Sequence, residues 1–177
     1  MKESGLPARV VVASASALLA VSLLLAAPPA HAADVCAAAD LVRVSTLLGG
    51  TPKRSTPAEP EFDKAAGVTG SGCQYLRDRA TVVMLLIDYK SPADASRQMA
   101  SVRLTEGFDI GNPKLTEERA AGADQAALIT GDAGALAFVV RRGARITMAG
   151  NGGAPLADSA VRRENLRALA IGTQTAK

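Results

Sequence analysis

A single histidine, no tryptophan, two tyrosines and three phenylalanines in 177 residues leave this chain poor in the side chains on which much catalysis and nucleic-acid recognition depend. Serine hydrolases and papain-like proteases need an imidazole to take the nucleophile's proton, and His31 lies in an N-terminal segment that reads as removable. Two cysteines without histidine fall short of the three or four ligands of a zinc site, unless carboxylates dominate. Charge of one sign is also lacking. Twenty basic residues stand against seventeen acidic ones, a balance that predicts neither nucleic-acid binding nor strong adhesion to an anionic membrane, despite a pI of about 9.1. No Gly-x-x-x-x-Gly-Lys-Ser/Thr loop occurs. Gly67-Val68-Thr69-Gly70-Ser71-Gly72 leads into a strand, whereas a dinucleotide-binding turn leads out of one into a helix, so its glycines read as turn residues. The composition names no metal and no cofactor.

The N-terminus does carry a signal. Lys2 and Arg9 precede an apolar run from Val10 to Ala27, followed by Pro28-Pro29 and the small-residue site Ala30-His31-Ala32. A basic start, an apolar middle and an Ala-x-Ala end make residues 1–32 a secretory signal peptide with cleavage after Ala32. An uncleaved anchor is the competing reading, since the run approaches the roughly 20 residues of a spanning helix, but an anchor has no need of the Ala-x-Ala ending. Cys36 follows Ala33-Asp34-Val35, which is not a lipid-attachment context. Cleavage removes Lys2, Glu3, Arg9 and His31 and leaves 145 residues with eighteen basic and sixteen acidic side chains, enough for one domain. The expected product is periplasmic or secreted, without a transmembrane segment.

Within residues 33–177, Asp40 reads as the N-cap of a helix whose leucine-rich face, Leu41, Val44, Leu47 and Leu48, stops at Gly49-Gly50. A capping box would want Glu or Gln where Arg43 stands. Residues 51–71, with Pro52, Pro57 and Pro60, read as a flexible loop. Glu59, Glu61 and Asp63 there lack the order of a calcium loop. Gly70 to Tyr75, the turn Arg77-Asp78-Arg79 and the apolar run Thr81–Tyr89 predict a hairpin whose second strand is central and buried on both faces.

Ser91, Pro92 and Asp94 mark the start of a second helix, with Ala95, Met99 and Val102 inward, an end at Gly107 and Phe108 closing on its last turn. Leu115–Arg119 reads as an edge strand on which Glu117 and Glu118 point to opposite faces, so they cannot work as an acid–base pair. Gly131–Gly134 and Arg141–Ala144 are turns between three further antiparallel strands. In the last, Ile146 and Met148 would face the core, with Arg145 and Thr147 on a wet side. Gly150-Asn151-Gly152-Gly153 breaks the chain. Asp158 then caps a helix reaching about Ile171, whose inward arc holds Val161, Leu166, Leu169, Ala170 and also Arg162. The fold class is α+β: a single domain with a mainly antiparallel sheet and helices packed on one face.

Cys36 and Cys73 are the only thiols and follow an export signal, so a disulfide is expected. It closes a ring of 38 residues, for which chain entropy gives about 4 kcal/mol. A redox role would use closely spaced cysteines instead. Arg141, Arg142 and Arg145 surround a turn, and Arg163 and Arg167 are four apart on the last helix. If turn and helix meet, these arginines form an anion-binding surface; otherwise they are a solvated face.

Cys36, Leu47-Leu48-Gly49-Gly50, Gly72-Cys73-Gln74-Tyr75, Ala121-Gly122-Ala123-Asp124-Gln125-Ala126 and Val139-Val140-Arg141-Arg142-Gly143, in that order, resemble small exported bacterial proteins of unknown function, many of them lipoproteins. The resemblance spans nearly all of residues 33–177 and implies an exported fold, with no catalytic residues to carry over. The expected function is therefore a non-enzymatic envelope protein that binds an anionic envelope component or another envelope protein. The alternative is a histidine-free hydrolase or other enzyme whose site forms only in the fold.

Overall fold

The computed structural model describes residues 35–58, 66–99, 110–153 and 159–174, which belong to one compact unit, His31–Lys177. The signal segment, Pro60 with the Glu59, Glu61 and Asp63 cluster, Val102, Gly107, Phe108 and Asp158 lie outside the described residues. Two short helices come first, α1 (Val35–Ala38) and α2 (Leu41–Leu48). The Asp40 side chain accepts from the amides of Val42 and Arg43. Gly49, at φ 69°, closes α2 in the left-handed conformation, and the Gly50 amide reaches back to Ser45. Arg43 forms an ion pair with the Asp40 cap at 3.2 Å. Val44, Leu47 and Leu48 are buried, but Leu41, expected on the same face, is 56% exposed. As the first helical residue it projects beyond the packed face.

The sheet has seven strands: β1 (Arg54–Ala58), β2 (Thr69–Arg77), β3 (Ala80–Asp88), β4 (Lys114–Glu118), β5 (Gln125–Thr130), β6 (Leu136–Arg142) and β7 (Arg145–Gly152). Their order is β1-β2-β3-β7-β6-β5-β4, and every pairing is antiparallel. The expected hairpin is β2–β3, with Arg77 opposite Ala80 and Asp78 taking up φ 55° in the turn. β4 is an edge strand, as expected. The stretch read as loop contains the other edge. Pro57 lies opposite Cys73 in β1, and an edge strand tolerates a missing amide because one of its sides needs no partner. Gly70 and Gly72, read as turn residues, lie inside β2.

Alternation along β3 separates two cores. Val82, Met84 and Leu86 pack with Val44, Leu47, Phe138, Leu166 and Leu169, under α1, α2 and α4 (Ser159–Thr173). Leu85 packs with Val139, Ile146 and Met148 on the opposite face. Ala95 and Met99 of α3 (Pro92–Met99) join this second core. The expectation that all helices share one face therefore fails for α3, because the second face is apolar too and requires its own cover. For the same reason Thr147 is not on a wet side. It is fully buried, and its hydroxyl donates to the Ala170 carbonyl of α4 at 2.6 Å. The start of α3 is as expected: the Ser91 hydroxyl accepts from the Asp94 amide and donates to the Asp94 carboxylate. On α4, Leu166, Leu169 and Ala170 are buried, whereas Val161 is 42% exposed and Arg162 only 5%.

Candidate functional site

Cys36 and Cys73 form the expected disulfide. Cys73 is wholly buried against the α1–α2 layer, and the Tyr75 hydroxyl donates to the Cys36 carbonyl at 3.0 Å. Covalent bond and hydrogen bond together fix α1 on the sheet.

The five arginines singled out in the sequence divide into one group of four and one alone. Arg141 donates to Gln125 Oε1 at 2.6 Å, to Asp124 Oδ2 at 3.3 Å and to the Gly143 carbonyl at 2.9 Å. Arg142 donates to the Gly122 carbonyl at 2.6 Å, Arg167 to the Arg119 carbonyl at 2.5 Å, and Arg163 to the Glu118 carboxylate. All four thus grip one stretch, the β4–β5 connection from Glu118 to Gln125. Asp124 answers them by also accepting the Gly143 amide of the β6–β7 turn at 2.7 Å. Arg167 in addition lies over the Phe138 ring, 5.8 Å from its centroid. Arg145 stands apart, making a two-pronged pair with Asp88 at 2.7 and 3.0 Å. The Asp88 hydrogen bond holds the Arg145 guanidinium above its ordinary pKa, against the opposing effect of burial. Glu117 and Glu118 occupy opposite faces: Glu118 pairs with Arg163 on the α4 side, while Glu117 is exposed.

Arg162 is the one guanidinium drawn into the interior of α4's packed face. It donates to Asn151 Oδ1 at 3.0 Å and to the Gly134 carbonyl at 2.5 Å, and burial lowers its pKa. Asn151, itself 3% exposed, passes the connection on by donating to the Thr81 carbonyl at 3.0 Å.

On the α3 side, beside Thr81, lies a cavity of about 340 Å³ lined by Gln74, Thr81, Val83, Ile110, Ala135, Leu136 and residues Gly150–Gly153. Its existence follows from the burial along β3. Val82, Met84 and Leu86 are fully covered, while on the other face Leu85 is buried but Val83 and Thr81 only partly so. Among the described residues α3 packs on the β6–β7 part of this face, and the cavity lies beside it over β2, β3 and β7. Register brings the lining together, with Val83 opposite both Gln74 and Gly150, and Thr81 opposite Gly152. Residues 150–153 were expected to break the chain; instead β7 runs on to Gly152, because β3 supplies partners for its backbone throughout.

None of the cavity residues was singled out from the sequence as functional. The available signal was a pair of glycines two apart after a strand, which inside a sheet marks a close approach by another group. Among the described residues the lining is uncharged, with the Gln74 amide and the Thr81 hydroxyl beside Val83 and Ile110, and is therefore suited to holding a ligand by shape and neutral hydrogen bonds. Among the described residues no group of three His, Cys, Asp or Glu side chains is placed to hold a metal, and no helix is long and apolar enough to cross a membrane. No protein-family model matches the chain, and no curated protein is significantly similar to it.

Proposed function

We propose that this protein is an exported, non-enzymatic binding module of the cell envelope, and that its ligand occupies the cavity on the α3 face. The observation that carries the reading is the cavity over β2, β3 and β7, lined by Gln74, Thr81, Val83, Gly150 and Gly152, where Thr81, Val83 and Gly152 are only partly buried. Such concave, largely preformed sites with a few polar groups are where small ligands bind. Export is supported by the composition of residues 1–32 and fits a disulfide, which persists in oxidising compartments. The arginines are a weaker basis for binding, since each already donates to a carbonyl or carboxylate within the domain. A fragment library screened by backbone-amide NMR tests the proposal. Shifts should concentrate at Gln74, Thr81, Val83, Gly150 and Gly152, with every fragment recovered unchanged. Shifts concentrated at the arginines, or a fragment chemically converted, would overturn it.

A further inference from the structure

We infer that the cavity selects an uncharged ligand bearing a carboxamide, as in a peptide or N-acyl group, with the amide held by Gln74 and Thr81 and a small apolar group lying over Val83 and Ile110. This rests on the reading of the cavity as the binding site.

The space is kept open by glycine. Gly152 has a φ outside the left-handed region, and a Cβ added there would meet nothing within 4 Å. Neither backbone conformation nor packing requires glycine at this position. A side chain would be tolerated by the fold but would project from the cavity floor, since Gly152 shares its face with Gly150 and with Thr81, its partner across the pairing. Glycine in a strand weakens that strand and leaves room for an approaching group.

The polar groups define the chemistry. Gln74 and Thr81 are partly buried, and among the described residues neither side chain has a hydrogen-bond partner. Glutamine presents an acceptor oxygen and a donor N–H in one plane, which matches the oxygen and N–H of a second amide in a paired arrangement, while threonine's hydroxyl can give or take a further bond. Among the described residues the lining supplies no opposite charge, so an ionised ligand would lose its water there without compensation. Asn151 is already committed to Arg162 and Thr81, so it steadies the wall.

The test titrates the mature chain, followed by NMR, with N-acetylalanine methylamide for the peptide source, methyl N-acetylglucosaminide for the sugar source, isopropyl acetate as an ester without N–H, and inorganic phosphate. One or both amide probes should shift Gln74, Thr81 and Gly152 and bind about tenfold tighter than the ester, the worth of roughly one net hydrogen bond. Whichever amide probe binds better identifies the source. Affinity should be unchanged between about 0.05 and 0.5 M salt, since no exposed charge pair contributes. Gln74→Leu should erase the preference for amide over ester, and Gly152→Val should weaken every neutral probe about tenfold or more, with Gly152→Ala as the milder change if valine disturbs the fold. Equal binding of amide and ester, unaffected by Gln74→Leu but lost in Gly152→Val, would overturn the amide assignment and leave the cavity as the site. Neutral probes that ignore both Gly152 variants, or phosphate binding best, would overturn the cavity reading itself.

Discussion

The Tyr75 hydroxyl donates to the backbone carbonyl of Cys36, and two residues earlier on the same strand Cys73 is bonded to the Cys36 sulfur. Residues two apart on a strand share a face, so Gly72-Cys73-Gln74-Tyr75 delivers a covalent and a polar tether to one short helix while Gln74 turns to the opposite face and the cavity. Replacing Cys36 and Cys73 by serine removes about 4 kcal/mol of unfolded-state restriction, which for a domain of this size lowers Tm by on the order of 10 °C. Tyr75→Phe should cost about 1 kcal/mol. Calorimetry of the three proteins, with a thiol assay showing no free cysteine in the native one, checks both values.

Arg162 and Asn151 form a buried pair in which a cation is held by neutral oxygens. Arg162→Met leaves Asn151 Oδ1 without its donor inside the protein, while the Gly134 carbonyl, in an exposed residue, can turn to water. The expected cost is roughly 1–3 kcal/mol in denaturant unfolding. No loss would mean that relief of the buried charge offsets the lost bond.

Asp124 joins the β4–β5 connection to the β6–β7 turn through the Gly143 amide and Arg141. Because its side chain is 49% exposed and Arg141's 12%, the ion pair itself contributes at most about 1 kcal/mol, and Asp124→Ala should cost about 1–2 kcal/mol in all. The more specific outcome is faster hydrogen exchange at the Gly143 amide, while Tyr89, whose amide bonds to the Ala144 carbonyl on the same turn, stays protected.

Burial raises the pKa of Tyr89 above its ordinary value of 10.0. Above the unfolded pKa the unfolded chain gains by ionising this phenol while the buried one still holds its proton, which disfavours the native state. Stability is accordingly flat below about pH 10 and falls as pH rises through the folded value. Tyr89→Phe should flatten that alkaline decline, measured as denaturant midpoint between neutral and high pH.

The proposed export has a direct readout. Intact mass of the protein recovered from the periplasm or medium of its host should correspond to a chain starting at Ala33 with two fewer hydrogens than its thiol form. Retention of residues 1–32, or a lipid on Cys36, would contradict it.

Elements defined by their own residues were legible in advance. The β2–β3 hairpin follows from an apolar run behind a charged turn, and the start of α3 from Ser91-Pro92-Asp94. Elements defined by what covers them were not. β1 is five residues with a proline, held only by pairing with β2, and nothing local distinguishes it from loop. Thr147 was read by polarity, yet it is buried because α4 lies where its hydroxyl can bond to a specific oxygen, whereas helical spacing already set Arg162 on the inward arc without showing which oxygens would receive it. The arginines show the same limit. Their clustering was visible, but not that the β4–β5 connection would fold back to receive four of them. Gln74 and Gly152 come together only through β3, which pairs with both of their strands.

The junction of β3 with β7 joins Thr81 to Gly152, about 70 residues later in the chain. Hairpins β2–β3 and β6–β7 can each close from neighbouring sequence, but the sheet becomes continuous only when the two meet, a long-range step that makes folding slow relative to local pairing. A chain emerging N-terminus first therefore holds β3 with a bare edge until nearly all of the protein has appeared. The cavity straddles this seam, its floor taken from β3 on one side and β7 on the other. A ligand seated there would bridge the early and late halves of the chain, so that occupancy would distinguish finished molecules from incomplete ones.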